Sequence, residues 1–274
     1  MRGLMCCFFA AAAIAGAAPP APTTNPNPDE IIQKFAAKEA EFRKAREAYT
    51  YRQTVKIEEL DPEGNVQGKY EIVSDIIFGA DNKRTEKVVR APVNTLKNLI
   101  LTPEDEQDLR NVQPFVLTSE DIGKYDVRFL GKQNADEIPC YVFAVKPKTM
   151  VKGERYFEGQ IWVDDRDLQI VKTYGKGVGE LKSGSAKNQA FPKFETYREQ
   201  IDGKYWFPTY SKADATLHFK GDSYSLAQDV HVRQIVRYTN YKQFGTSVRV
   251  LYDGEEISKA PAAPQTPPPN PPKN

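Results

Sequence analysis

Tyr49-Thr50-Tyr51-Arg52-Gln53-Thr54-Val55-Lys56-Ile57-Glu58 repeats with a period of two. Tyr49, Tyr51, Gln53, Val55 and Ile57 fall on one side, and Thr50, Arg52, Thr54, Lys56 and Glu58 on the other. Successive side chains of a strand leave opposite faces, so this period predicts a strand with one face buried. The run stops at Asp61-Pro62-Glu63-Gly64-Asn65, a strong turn. The following stretch puts Tyr70, Ile72, Ile76 and Phe78 on one face, turns at Gly79-Ala80-Asp81-Asn82, and returns as a third strand from Arg84 to Arg90. Three strands joined by tight turns predict an antiparallel meander.

On the N-terminal side of the meander the period changes to that of a helix. Asn27-Pro28-Asp29-Glu30 offers an N-cap, a proline at the first position and a glutamate three residues after the cap. Ile31, Phe35, Phe42 and Tyr49 recur at spacings of four and seven, while Lys34, Lys38, Glu41 and Lys44 fill the other face. On the C-terminal side, Val93 to Leu101 is apolar and Thr102-Pro103-Glu104-Asp105-Glu106 reads as an N-cap with an acidic first turn. This helical interlude is a candidate lid or plug.

Strands resume at Tyr125 to Lys132, Ile138 to Lys148, Tyr156 to Asp164 and Leu168 to Gly175, and Gly175 to Ala190 reads as a mobile loop. Further strands run Phe191 to Ile201, Lys204 to Ala213, Thr216 to Lys220, Asp229 to Tyr241 and Ser247 to Tyr252, with Asp202-Gly203 as a hairpin turn. About eleven strands and two or three helices predict a mainly β, α+β body whose antiparallel sheet must curl around something.

The chain carries 38 Lys plus Arg against 37 Asp plus Glu, a balance that argues against nucleic acid as partner. With 40% apolar residues, 14 Tyr and 14 Phe, it has enough to bury a core. Twelve of the 20 prolines lie in two stretches, Pro19 to Pro28 and Pro261 to Pro272, which brackets the folded body. Arg2, the uncharged run Leu4 to Ile14 and Ala15-Gly16-Ala17 form a secretory signal, shorter than the roughly 20 residues that span a bilayer. The organisation expected is a signal peptide 1–17, a Pro-rich linker 18–28, one domain 29–259 and a disordered Pro-rich tail 260–274. Cleavage leaves Cys140 as the sole cysteine, within the apolar run Ile138 to Val145, so burial is expected.

Residues for catalysis are scarce. His218 and His231 stand without an H-E-x-x-H or C-x-x-C pattern, so no metal or other cofactor is expected. Asp164-Asp165-Arg166-Asp167 reads as a turn rather than an acid–base pair. Gly175-Lys176-Gly177-Val178-Gly179 matches a phosphate loop only loosely, because no helix follows it. The dense aromatics Tyr197, Tyr205, Trp206, Phe207, Tyr210, Tyr238 and Tyr241 fit ordinary cross-strand pairing. No enzymatic activity is expected.

One block resembles a known family. Gly131-Lys132-Gln133, Glu137-Ile138-Pro139-Cys140-Tyr141-Val142-Phe143-Ala144-Val145-Lys146-Pro147-Lys148, Gly159-Gln160-Ile161-Trp162-Val163-Asp164 and Leu168-Gln169-Ile170-Val171-Lys172 resemble the central hairpins of outer-membrane lipoprotein-sorting proteins of the LolA/LolB-like superfamily. The family's lid-latching arginine finds no match at the level of sequence. The resemblance implies an incomplete antiparallel β-barrel, wet on its convex side and apolar on its concave side, with helices covering the concave face. It implies a monomeric periplasmic carrier for lipoprotein acyl chains or other lipids, working between membrane-associated donor and acceptor proteins. The alternative is an envelope sensor or interaction module on the same scaffold. Residues expected to line the lipid groove are Tyr51, Val55, Ile57, Tyr70, Ile72, Ile76, Phe78, Ile161 and Val163.

Overall fold

A computed structural model describes residues 27–78, 84–179, 192–219, 228–244, 251–252 and 255–256. The signal peptide, the Pro-rich tail, nearly all of the linker, the Gly79-Ala80-Asp81-Asn82 turn and most of the Gly175 to Ala190 loop lie outside them.

Helix α1 spans Pro28–Ala45, started by Asn27, whose side-chain oxygen accepts the Asp29 N–H at 3.1 Å. It buries Ile31, Phe35, Ala36, Glu39 and Phe42. The meander follows as β1 (Tyr49–Leu60), β2 (Val66–Phe78) and β3 (Arg84–Asn94). Gly64, at φ 86°, sits in the left-handed region that the first turn requires. A five-residue helix α2 (Pro103–Gln107) runs on into one π-helical turn, Asp108–Val112. Strands β4 (Tyr125–Ala135), β5 (Ile138–Pro147), β6 (Tyr156–Asp164), β7 (Ile170–Val178), β8 (Phe194–Gln200), β9 (Trp206–Phe219) and β10 (Gln228–Gln243) complete the sheet.

Those ten strands form one antiparallel sheet in the order β3-β2-β1-β10-β9-β8-β7-β6-β5-β4. The N-terminal and C-terminal meanders join where β10 pairs with β1. Among the described residues no ladder joins β3 to β4, so the barrel is incomplete. The chain leaves one free edge at Asn94 and reaches the other at Tyr125, and the segment between them, residues 95–118 above all, lies against the concave face as a plug.

The concave face carries two apolar clusters. One gathers Ile31 and Phe35 of α1, Val112, Phe115 and Leu117 of the plug, and Phe143, Phe157, Ile161, Val163 and Ile170 of β5 to β7. The other gathers Leu99 and Leu109 of the plug with Val55, Ile57, Val230, Val232 and Val236 of β1 and β10.

Three expectations need correction. The predicted strands Lys204 to Ala213 and Thr216 to Lys220 are one strand, β9, because Asp214 and Ala215 stay in register with Arg233 and Val232 of β10. The predicted strand Ser247 to Tyr252 lies outside the described residues but for Leu251–Tyr252, which are extended as β11 of a separate ribbon with β12 (Glu255–Glu256). Val93 to Leu101 is not helical: Val93 and Asn94 end β3, and the next turn is held by Glu59, whose carboxylate accepts the N–H groups of Lys97, Asn98 and Leu99 at 2.7–2.9 Å. The convex side is not wet throughout. Cys140, Val142, Trp162 and Val171 form a buried outer cluster, with the Lys172 ammonium 5.2 Å from the Trp162 ring centre.

Candidate functional site

The predicted groove residues share the concave face but fall in two groups. Cross-strand pairs Tyr51↔Ile76, Val55↔Ile72 and Ile57↔Tyr70 place six of them side by side on β1 and β2, with Phe78 at the strand end. Ile161 and Val163 stand apart on β6, in the cluster beneath α1. Ile57, Ile76, Ile161 and Val163 are fully buried, while Tyr51, Tyr70 and Ile72 are half-buried.

The plug fills this face. Its helical start is capped reciprocally: the Thr102 N–H meets Asp105 Oδ2 at 2.8 Å and the Asp105 N–H meets Thr102 Oγ1 at 3.2 Å. Among the described residues, two voids lie on the concave side. One, of about 70 Å³, is lined by Val55, Tyr70, Ile72 and Leu109 with Glu86, Glu106 and Arg110 at its rim, and one, of about 20 Å³, by Tyr51, Pro114, Tyr238 and Tyr241 with Arg46. Ligand pockets usually measure about 300–1,000 Å³, so neither of these two holds an acyl chain unless plug side chains give way.

Charged groups hold the plug down at three points, and none of them stood out in the sequence. Glu59 anchors residues 97–99 as described. Asp108, in the π-helical turn, takes a two-pronged contact from Arg155, Nε to Oδ1 at 2.8 Å and Nη2 to Oδ2 at 2.6 Å, with both side chains buried. Arg198 of β8 donates through Nη1 to both oxygens of Glu39 at 3.1 Å and through Nη2 to the Phe115 carbonyl. Glu39 also accepts the Ile170 N–H at 3.0 Å. One arginine thus ties α1, the plug and the sheet together. Burial pushes the Glu39 carboxyl above its ordinary value, and the Arg198 charge and the Ile170 N–H oppose that rise.

Sequence signals for this pair exist in hindsight. Glu39 lies four residues after Phe35 and three before Phe42, on the apolar stripe of α1, and Arg198 has the same strand parity as Phe194 and Thr196.

The Gly175-Lys176-Gly177-Val178 stretch belongs to β7 rather than to a loop, and its glycines make room for the plug. A Cβ on Gly175 would meet Phe157 Cε2 at 2.7 Å, and one on Gly177 would meet Asp108 Cγ at 2.5 Å. Without those side chains Phe157 lies close against the sheet, and Phe115 of the plug stacks on it with centroids 4.5 Å apart at 24°.

The convex face also has a depression, of about 570 Å³, lined by Asp126, Arg128, Lys146, Glu158, Lys176 and others. Asp126 stands opposite Lys146 and Glu158 opposite Lys176, an alternation of charge that suits a solvated strand face more than a ligand site.

Burial pushes the Cys140 thiol up to about 11, far from the thiolate a nucleophile needs. Asp164 Oδ1 accepts the N–H groups of Arg166 and Asp167 at 2.7 and 2.6 Å, which makes the acidic cluster a turn. Among the described residues no group of His, Cys, Asp and Glu is placed to hold a metal ion. No described helix is long and apolar enough to cross a membrane.

No protein-family model matches the chain, and no curated protein does. Solved structures do. A DUF1329 family protein from Desulfovibrio piger is 13% identical, with 79% of this chain and 93% of that one covered at a TM-score of 0.36. A LolA superfamily protein from Nitrosomonas europaea is 13% identical, with coverage of 79% and 93% and a TM-score of 0.32. A domain described as an outer membrane lipoprotein-sorting protein, from Vibrio parahaemolyticus, is 11% identical, with coverage of 77% and 93% and a TM-score of 0.35.

Proposed function

We infer that this protein is an exported, periplasmic carrier that takes acyl chains of lipoproteins or other lipids onto the concave face of its open sheet. The observation that carries this reading is the manner of closure. The sheet's apolar face is covered by a helix and by a plug, held at three charged points, and among the described residues no strand closes it. A protein that needed only a stable core could pair β3 with β4 and dispense with the plug.

The energetics favour reversible exchange. Burying each of Leu99, Leu109, Val112, Phe115 and Leu117 contributes about 1.5–3 kcal/mol, so the plug's apolar seating is worth roughly 7–15 kcal/mol. An acyl chain of about fourteen methylenes contributes roughly 11 kcal/mol at about 0.8 kcal/mol each. The two apolar terms are closely matched, so exchanging one occupant for the other changes the apolar burial energy little.

Mass spectrometry of lipids that co-purify with the mature protein tests the reading. Recovery of stoichiometric acyl lipid is expected. Recovery of none, together with a specific protein captured on pull-down, would replace the carrier with an envelope sensor on the same scaffold.

A further inference from the structure

The two apolar clusters of the concave face are separated by a row of uncharged polar side chains. Thr173 of β7 stands opposite Thr196 of β8, and Thr196 opposite Ser211 of β9. Gln234 of β10 pairs with Ala213, two residues along the same face of β9 from Ser211. All four are at most 1% exposed. Gln113 of the plug lies over this seam: Thr196 Oγ1 donates to its backbone carbonyl at 2.9 Å and accepts the Ser211 hydroxyl at 3.0 Å.

Several atoms here have no partner. Both amide atoms of the fully buried Gln113 side chain, Oγ1 of Thr173 and Oε1 of Gln234 make no hydrogen bond. Thr173 neighbours Thr196, beneath the plug at Gln113, while Gln234 lies three strands from Thr173; buried polar atoms are almost always paired, so the orphaned Thr173 hydroxyl and Gln113 carboxamide call for a partner such as a ligand or an ordered water. The seam itself carries no charge. The charged groups beside it, Glu39 with Arg198 and Asp108 with Arg155, are engaged with each other. An uncharged carbonyl would find the unpaired Thr173 hydroxyl as a donor without disturbing either pair.

We propose that this seam binds the uncharged carbonyl linkage, ester or amide, of an acyl-chain ligand, and that the Gln113 carboxamide occupies that position when the plug is seated. The proposal rests on the acyl-carrier reading. A primary amide is chemically close to the linkage it stands in for, yet it leaves its own hydrogen bonds unmade. Exchange for a linkage that makes them favours the loaded form.

Dissociation constants for methyl palmitate and for hexadecane, read by displacement of the neutral dye N-phenylnaphthylamine from the full-length mature protein, test this. Wild type should bind the ester about tenfold more tightly than the alkane, the worth of one or two buried hydrogen bonds. Thr173→Val, removing the unpaired donor of the seam, should bring that ratio within about threefold while leaving alkane affinity unchanged. Gln113→Leu, which relieves the seated plug of its orphaned atoms, should weaken both ligands by the same factor and preserve the ratio. Equal affinity for ester and alkane in wild type, or a ratio that survives Thr173→Val, would overturn the proposal and leave the carrier reading standing. Binding of neither compound would overturn both.

Discussion

Replacing Gly177 by alanine should unseat the plug while leaving the sheet intact. The new methyl group would point to the concave side, within 2.5 Å of Asp108 Cγ, far inside van der Waals contact. Asp108 cannot swing away cheaply, because Arg155 grips both of its oxygens and both side chains are buried. Breaking a buried ion pair by displacing one partner costs about 3–5 kcal/mol, and a shift that preserves part of the contact would cost about 2 kcal/mol. Since each 1.4 kcal/mol is a factor of ten, the fraction of molecules with the plug unseated should rise at least about 30-fold. The assay is amide hydrogen exchange: residues 97–117 should exchange at least about 30-fold faster, while β1, β5 and β10 keep wild-type rates. Lys176→Ala, whose side chain stands on the convex face, is the control and should change neither. If Gly177→Ala leaves exchange over 97–117 within about twofold of wild type, the plug is not held through Asp108 and its role as a displaceable cover is refuted.

Arg198→Met strands the fully buried Glu39 carboxylate and should lower the unfolding free energy by about 3–5 kcal/mol in urea melts, whereas Glu39→Gln with Arg198→Met should recover most of that loss. Ile72→Asp, at a half-buried position beside the larger concave void, should reduce co-purifying lipid in a folded protein, and Ile76→Asp, at a fully buried one, should instead cost several kcal/mol of stability in thermal melts. Burial raises Tyr125 to about 12, and burial with the Asp202 hydrogen bond raises Tyr49 to about 12. With Cys140 at about 11, these groups stay protonated in the folded chain at pH values where the unfolded chain has ionised them. Their contribution is therefore complete below the unfolded values of 9.0 to 10.0 and lost as pH climbs toward 11 to 12, so urea midpoints should fall over that window, less steeply in Tyr125→Phe.

The meander was plain in the sequence because its faces are chemically distinct. Tyr51, Val55 and Ile57 alternate with Arg52, Lys56 and Glu58, and the pairing with β2 keeps that parity along almost the whole strand. Asn27 and Thr102 were legible as caps for the same local reason: a short side-chain oxygen ahead of an acidic turn has one common use. The plug's fastenings were not legible. Glu39, Glu59 and Arg198 sit on apolar stripes where a charged residue reads as an interruption, and their partners lie 38 to 159 residues away along the chain. The glycines of β7 misled for a related reason. Glycine clusters in loops when it serves backbone freedom, but at Gly175 and Gly177 it serves the close approach of Phe157 and Asp108, a demand set by another part of the chain. The candidate groove divided along the same line. Strand parity assigned its residues to one face, while the plug that now covers them could be placed only with the fold in hand.

The position of the plug between the two free edges gives it a particular mechanical property. Residues 95–124 run from the end of β3 to the start of β4, and thirty residues extend to roughly 100 Å at about 3.3 Å each, about twice the roughly 43 Å that nine strand spacings of about 4.8 Å span across the whole sheet. The connection is slack. On the proposed carrier reading, loading would break only the plug's own side-chain and backbone contacts and none of the nine ladders of the ten-stranded sheet. A cover spliced between two paired strands would have to unzip a hairpin each time it opened; this one leaves the scaffold at rest, and the work of each cycle is confined to the segment that moves.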